Sequence, residues 1–224
     1  METQTYIITC PHCGHERRVS FCKESWPDTD YTLWSDGRIE SDGWFEPTRT
    51  QQCPHCGKFF IRQLKTELLM VDEPCTDRAI LSYQQLKTAI NELAGTDFAE
   101  GWARHETWQA YNALYQDADL VPEEEQEFNR NNMQWLLDFY QSSSPLRLTT
   151  IEFELNRLLG NRDACERMLE TTYEEYVQQQ KEFRILRGRP WDDDKEKWER
   201  RYNNLMKELK SSLDLPLKPY KGRN

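Results

Sequence analysis

One five-residue string occurs twice in this chain, and it limits the possible folds more than any other feature. Cys10-Pro11-His12-Cys13-Gly14 returns as Cys53-Pro54-His55-Cys56-Gly57. Two residues between thiols is the spacing at which one tight turn aims both sulfurs at a single ion. Pro11 and Pro54 fix φ at the entry of each turn. Gly14 and Gly57 supply the positive φ that the exit needs, without a Cβ penalty. Four thiolates around one tetrahedral centre describe a structural zinc site with no open position. The expected ligands are therefore Cys10, Cys13, Cys53 and Cys56.

Strand-like runs flank both turns. Thr5–Thr9 leads into the first, Glu16–Phe21 returns from it, and Lys58–Arg62 returns from the second. Between the pairs, Tyr31–Trp34 and Arg38–Glu40 bracket Ser35-Asp36-Gly37, and Asp-Gly is a strong hairpin signal. A second Asp-Gly, Asp42-Gly43, precedes Trp44-Phe45. The insert is rich in aromatic residues. They either build the small core that so short a domain otherwise lacks or present a binding face. Trp26, Trp34, Trp44 and Phe45 are the candidates for a partner face.

Two such turns beside short strands resemble the zinc-ribbon group, in which each turn sits at the tip of a β-hairpin. The resemblance covers about residues 5–63, where the strand-like runs stop. It implies a structural Zn2+ and no activity. The 39 residues between the pairs exceed the usual ribbon insert, so something folded or functional must fill them.

Leu64–Pro74 reads as a connector, and Asp72-Glu73-Pro74 breaks periodicity. Helical spacing follows. Thr76-Asp77 is placed to cap a helix to about Leu93, stopped by Gly95. A second helix spans about Ala103–Asp117. A third opens at Pro122 with three Glu and runs to about Tyr140, and Ser142–Pro145 is a loop. A fourth covers about Leu146–Leu159 and ends at Gly160. A fifth runs from Asn161 or Arg162 toward Leu186, and a sixth from Asp192 to about Leu213. The expected class is α+β: a β-rich ribbon domain over 1–72 and an all-α domain of antiparallel helix pairs over 73–224.

Residues 146–176 resemble a tetratricopeptide-type hairpin. Leu159-Gly160-Asn161-Arg162-Asp163-Ala164-Cys165 is similar to that family's Leu-Gly turn, with Cys165 in the small-residue slot of the second helix. No 34-residue repeat is visible. A zinc ribbon joined to tetratricopeptide-like helices resembles a group of bacterial proteins of unassigned function. They also carry a Trp-Ser-Asp-Gly segment between the Cys pairs, as Trp34–Gly37 does here. That resemblance implies an architecture and no activity.

Charge bears on partners. Net charge is −10: residues 1–75 carry −4, 76–180 carry −11 and 181–224 carry +5. Arg17, Arg18, Arg49, Lys58, Arg62 and Lys65 lie near the turns among aromatics, a mixture that suits single-stranded nucleic acid. The negative total argues against that alternative, because phosphate binding needs local positive charge. A dithiol redox role for the Cys-Pro-His-Cys strings is a second alternative. It usually sits at a helix start in a βαβ unit, and none is legible. His105-Glu106 opens a zincin-like string, but position 109 is Gln. The acidic runs Glu123–Glu125 and Asp192–Asp194 read as helix-start charge. Cys22, Cys75, His12, His15 and His55 are spare donors that could substitute as ligands. With seven Cys, no basic leader and no long apolar run, the expected setting is a reducing cytoplasm. The expected function is a non-catalytic zinc-binding adaptor whose partner is a protein, bound through the helices or the aromatic insert.

Overall fold

Tyr6, Ile8 and Cys10 fall at alternate positions, so a strand ending at Cys10 turns all three toward one side. That strand is β1 (Thr3–Thr9), and the three side chains are buried. β2 (Glu16–Cys22) pairs with it antiparallel, Thr3 opposite Cys22 and Thr9 opposite Glu16. Val19 and Phe21 join the same core, and the Phe21 ring meets Tyr6 edge-on at 4.9 Å. The structure is a computed structural model and describes residues 2–22, 31–41, 45, 47–63, 67–115, 118, 120–143, 150–186, 191 and 194–215, excluding the side chains of 143 and 183.

The expected hairpin over the Asp-Gly turn forms as β3 (Thr32–Leu33) and β4 (Ile39–Glu40). β5 (Thr50–Gln52) and β6 (Phe59–Ile61) make a second hairpin, Gln52 opposite Phe59, with Cys53–Lys58 between them. β7 (Leu69–Val71) lies in the stretch expected to be a connector. It pairs antiparallel with β1, giving a sheet of order β2-β1-β7.

The chain after β7 stays tied to this sheet. Arg17 pairs bidentately with Asp77 at 2.5 and 2.8 Å. The Ser20 N–H donates to the Asp77 carbonyl at 2.6 Å, and the Ser20 hydroxyl to the Cys75 carbonyl at 2.6 Å. Asp77 is therefore engaged by Arg17 and does not cap a helix. α1 (Tyr83–Leu93) starts later, on a capping box of Ser82 and Gln85, which satisfies two orphan donors reciprocally. α2 (Asp97–Tyr115) follows and packs on α1 and on β5 and β6. Trp108 at its centre is fully buried. The described chain falls into two compact units, 1–32 with 39–115 and 33–38 with 116–224. The join expected at 72/73 lies inside the first unit, because β7 and the Asp77 contacts hold that stretch to the sheet.

The second unit contains α3 (Glu123–Ser143), α4 (Thr150–Leu159), α5 (Arg162–Leu169), α6 (Tyr173–Leu186) and α7 (Lys195–Ser212). Consecutive helices pack as pairs, α4 with α5 and α6 with α7. Gly160 ends α4 at φ +80°; its N–H donates to the Arg157 carbonyl, and that of Asn161 to the Asn156 carbonyl. This is the Schellman arrangement, which favours glycine. The single helix expected from about residue 161 to 186 is two. Thr172 and Glu175 form a capping box that restarts the chain as α6. Phe153, Cys165, Tyr176, Trp198, Met206 and Leu209 form the core of the helices, and Cys165 is fully buried there.

The tip of the β3–β4 hairpin belongs to this second unit. The Trp34 N–H donates to the Arg38 carbonyl at 2.8 Å, and that of Gly37 to the Trp34 carbonyl at 2.9 Å, with Gly37 at φ +82°. Asp36 is fully buried and accepts from Arg38 Nε at 2.7 Å. The Ser35 hydroxyl donates to Glu154 Oε1 at 2.6 Å. Glu154 in turn holds Arg157 at 2.7 and 2.8 Å, both side chains 2% exposed. A buried pair of this kind is sustained only when its remaining lone pairs and protons are met. Ser35 meets one of them.

Arg157→Met is expected to strand the Glu154 charge and cost about 3–5 kcal/mol in urea unfolding. Ser35→Ala should cost about 1–3 kcal/mol. Burial raises the Glu154 carboxyl above its usual 4.5, against the pull of Arg157 and Ser35 and aided by the Asp36 charge. The stability linked to it is full below pH 4.5 and is lost as pH rises through the higher folded value. Glu154→Gln should flatten that fall, read as unfolding midpoints over a pH series.

Candidate metal centre

Each Cys-Pro-His-Cys-Gly string folds as the same turn. The Cys10 N–H donates to the His15 carbonyl at 2.9 Å and the Gly14 N–H to the Cys10 carbonyl at 2.9 Å. In the second copy, the Cys53 N–H donates to the Lys58 carbonyl at 3.0 Å and the Gly57 N–H to the Cys53 carbonyl at 2.9 Å. Gly14 and Gly57 stand at φ +69° and +76°. The two turns face each other. Cys10 Sγ lies 3.8 Å from Cys56 Sγ, and Cys13 Sγ lies 3.7 Å from Cys53 Sγ. All four sulfurs lie within 4.8 Å of one another.

These distances test the fit of a metal directly. A tetrahedron with Zn–S bonds of about 2.3 Å has S···S edges of about 3.8 Å. A disulfide would need about 2.05 Å, and all seven cysteines are free. Cys10 and Cys53 are buried in the sheet core, while Cys13 and Cys56 are exposed. The Cys56 N–H points at Cys53 Sγ from 3.5 Å. That N–H is the main cause drawing the Cys53 thiol down to about 6. Cys13 goes the other way, to about 12: the His15 backbone lowers it, but lost hydration and the three neighbouring sulfurs outweigh that. Negative charges this close repel one another, and a cation among them offsets that repulsion.

The spare donors do different work. His12 Nε2 is 3.2 Å from the Phe59 carbonyl, and His15 stacks on His55 at 5.3 Å between centroids. Cys22 Sγ accepts from the Phe45 N–H at 3.2 Å, and Cys75 lies against the Arg18 carbonyl at 3.3 Å. None of these is in the four-sulfur group. Of the partner-face candidates, Phe45 is buried under the Arg78 guanidinium, and Trp34 is half-buried beneath that of Arg38. Trp26 and Trp44 lie outside the described residues, as do Lys65 and the Asp42-Gly43 turn.

Four of the basic residues near the turns make internal contacts. Arg17 pairs with Asp77 and Arg18 with Glu73. Arg49 lies 4.0 Å above the Trp102 ring. Arg62 is buried and donates to the Pro47, Thr48 and Gln63 carbonyls. Glu106 belongs to the failed zincin string, and nothing local in the sequence gives it another role. Its carboxylate accepts the Arg49 N–H at 2.5 Å and the Thr50 N–H at 3.0 Å. Only its helical spacing from Trp102, four residues, hints at a shared face. Compared with protein-family models, curated proteins and solved structures, the chain has no match.

Cysteine-to-serine change at position 10, 13, 53 or 56 is expected to lower the metal content per chain by elemental analysis, relative to the unaltered chain. Cys22→Ser and Cys75→Ser should leave it unchanged. A Cβ on Gly14 or Gly57 meets nothing within 4 Å. Gly14→Ala and Gly57→Ala should therefore cost only the left-handed backbone penalty, about 1–2 kcal/mol each in thermal unfolding.

Proposed function

We propose that this protein is a non-catalytic zinc-binding adaptor: a zinc-ribbon front carrying tetratricopeptide-like helix pairs that engage another protein. The observation that carries the reading is the four-sulfur group, all within 4.8 Å, with two cross-pair distances that match the edge of a tetrahedral site. A site of four thiolates is coordinatively closed, so zinc there contributes folding energy, on the order of 10–16 kcal/mol in small zinc peptides, and activates no water. Interleaving of the two pairs supports one shared ion over two separate dithiol sites. Free thiols at this centre suit a reducing compartment such as the cytoplasm. Helix pairs are a common scaffold for holding a peptide or helix, and they motivate a protein partner.

Nucleic acid is the weaker reading. Arg17, Arg18, Arg49 and Arg62 are all taken up by internal contacts, and the first 75 residues carry −4. The deciding experiment uses the zinc-loaded full chain as bait in native lysate, with nuclease treatment and a salt series. A protein partner that survives nuclease and moderate salt is expected. Recovery of nucleic acid alone, with steep salt dependence, overturns the proposal.

A further inference from the structure

The two cysteine turns are delivered by unequal supports. Cys10 follows β1, which is paired on both sides, by β2 and by β7. Cys53 follows β5, a three-residue strand in a two-stranded hairpin. An isolated hairpin of that size is marginal in water. Something outside the hairpin must hold β5 still if Cys53 is to stay in register with the other three sulfurs.

We propose that Glu106 on α2 is the positioning residue for this half of the cluster, holding the start of β5 so that the metal is retained. The inference rests on the metal reading above. Glu106 Oε1 accepts the Arg49 N–H and Oε2 the Thr50 N–H, at 2.5 and 3.0 Å. On its other side Arg49 offers its carbonyl to the Arg62 N–H at 2.8 Å, which ties the same residue to the end of β6. Trp102, one helical turn before Glu106, carries the Arg49 guanidinium on its ring. One face of α2 thus grips both the backbone and the side chain of Arg49. Gln51, 1% exposed, fixes the next residue by donating to the Thr48 and Ala79 carbonyls at 2.6 and 2.9 Å. From Thr50 to Cys53 is three extended residues, about 10 Å of strand. Metal–ligand bond lengths in a well-formed site fall within about 0.2 Å of their standard values. Loosening the strand at Thr50 therefore reaches Cys53 Sγ. Glu106 acts through that strand; the four-sulfur group does not include it.

The test measures zinc release from the intact zinc-loaded chain to a chromophoric chelator, together with the sulfur-to-metal charge-transfer spectrum of the cobalt form. Glu106→Gln keeps the shape but turns an NH2 toward a backbone N–H. Glu100→Gln is the control: Glu100 lies on the same helix and is buried, but it holds the Gly95 N–H and Arg104. Glu106→Gln is expected to release zinc about tenfold faster, the lower end of the roughly 10–100-fold range for outer-shell partners, and to shift the cobalt spectrum. Glu100→Gln should release zinc at the wild-type rate even where its thermal midpoint falls. Equal release by wild type and Glu106→Gln overturns the inference, and so does equal acceleration by both variants. Should Glu106→Gln not fold, Glu106→Asp, which keeps both acceptor oxygens on a shorter arm, carries the comparison. Intermediate release supports the role, and wild-type release refutes it. A wild-type chain that takes up neither zinc nor cobalt sinks the metal reading and this inference together, and is told apart by that first measurement.

Discussion

Four sulfurs within 4.8 Å of one another, two cross-pair contacts among them at 3.7 and 3.8 Å, bring together two Cys pairs that lie 39 residues apart in the chain. Closing a loop of that length costs chain entropy, and the sheets around it are small. Among the described residues the largest has three strands, and the other two are two-stranded hairpins. Sheets this size bury too little apolar surface to hold a domain by themselves. Cys10 and Cys53 are themselves buried in the core with Tyr6, Ile8, Val19, Phe21 and Phe60. The sulfur cluster and the sheet core are thus one structure. Whatever holds the sulfurs also fixes the faces that the apolar residues pack against.

The helices α1 and α2 belong to that same structure. They cover β5 and β6, and their contribution is as much polar as apolar. Glu106 takes two backbone N–H groups that a lone hairpin would leave to water. Burial pushes its carboxyl above the usual range, while the Thr50 and Arg49 groups and the Arg62 charge pull it back. Its hydrogen bonds offset part of the lost hydration, which is why a polar group is tolerated there. The same logic runs in the second unit, where Ser35, Glu154 and Arg157 meet around a turn that the front of the chain supplies.

What could be read beforehand follows a physical line. The cysteine turns were legible because gathering two sulfurs from one tight turn takes a short spacing and a following glycine, and both are written locally. β1, β2, the β3–β4 hairpin and the Gly160 stop were legible for the same reason: alternation, Asp-Gly and Leu-Gly are near-neighbour signals. The break between α5 and α6 was also written locally, as the Thr172–Glu175 capping box, but continuing helical periodicity across it hid the signal. Residues 69–79 were not legible. Their role comes from Arg17 meeting Asp77 and from β1 offering a free edge, and both are long-range facts. Glu106 was obscure for that reason too: nothing near it in sequence says that Arg49 and Thr50 will arrive at its carboxylate.

The arginines around the cysteine turns show why composition alone misleads about partners. Counted along the sequence, Arg17, Arg18, Arg49 and Arg62 look like a basic strip. In space, two pair with acids from residues 73–77, one lies over the Trp102 ring, and one is buried among carbonyls. A guanidinium already paired with a carboxylate has part of its charge offset, and so gives less net counterion release on meeting a phosphate. Their positions are explained by what they hold: the stretch after β7, the start of β5 and the end of β6. The positive charge around the cysteine turns is thus spent on holding the front unit together.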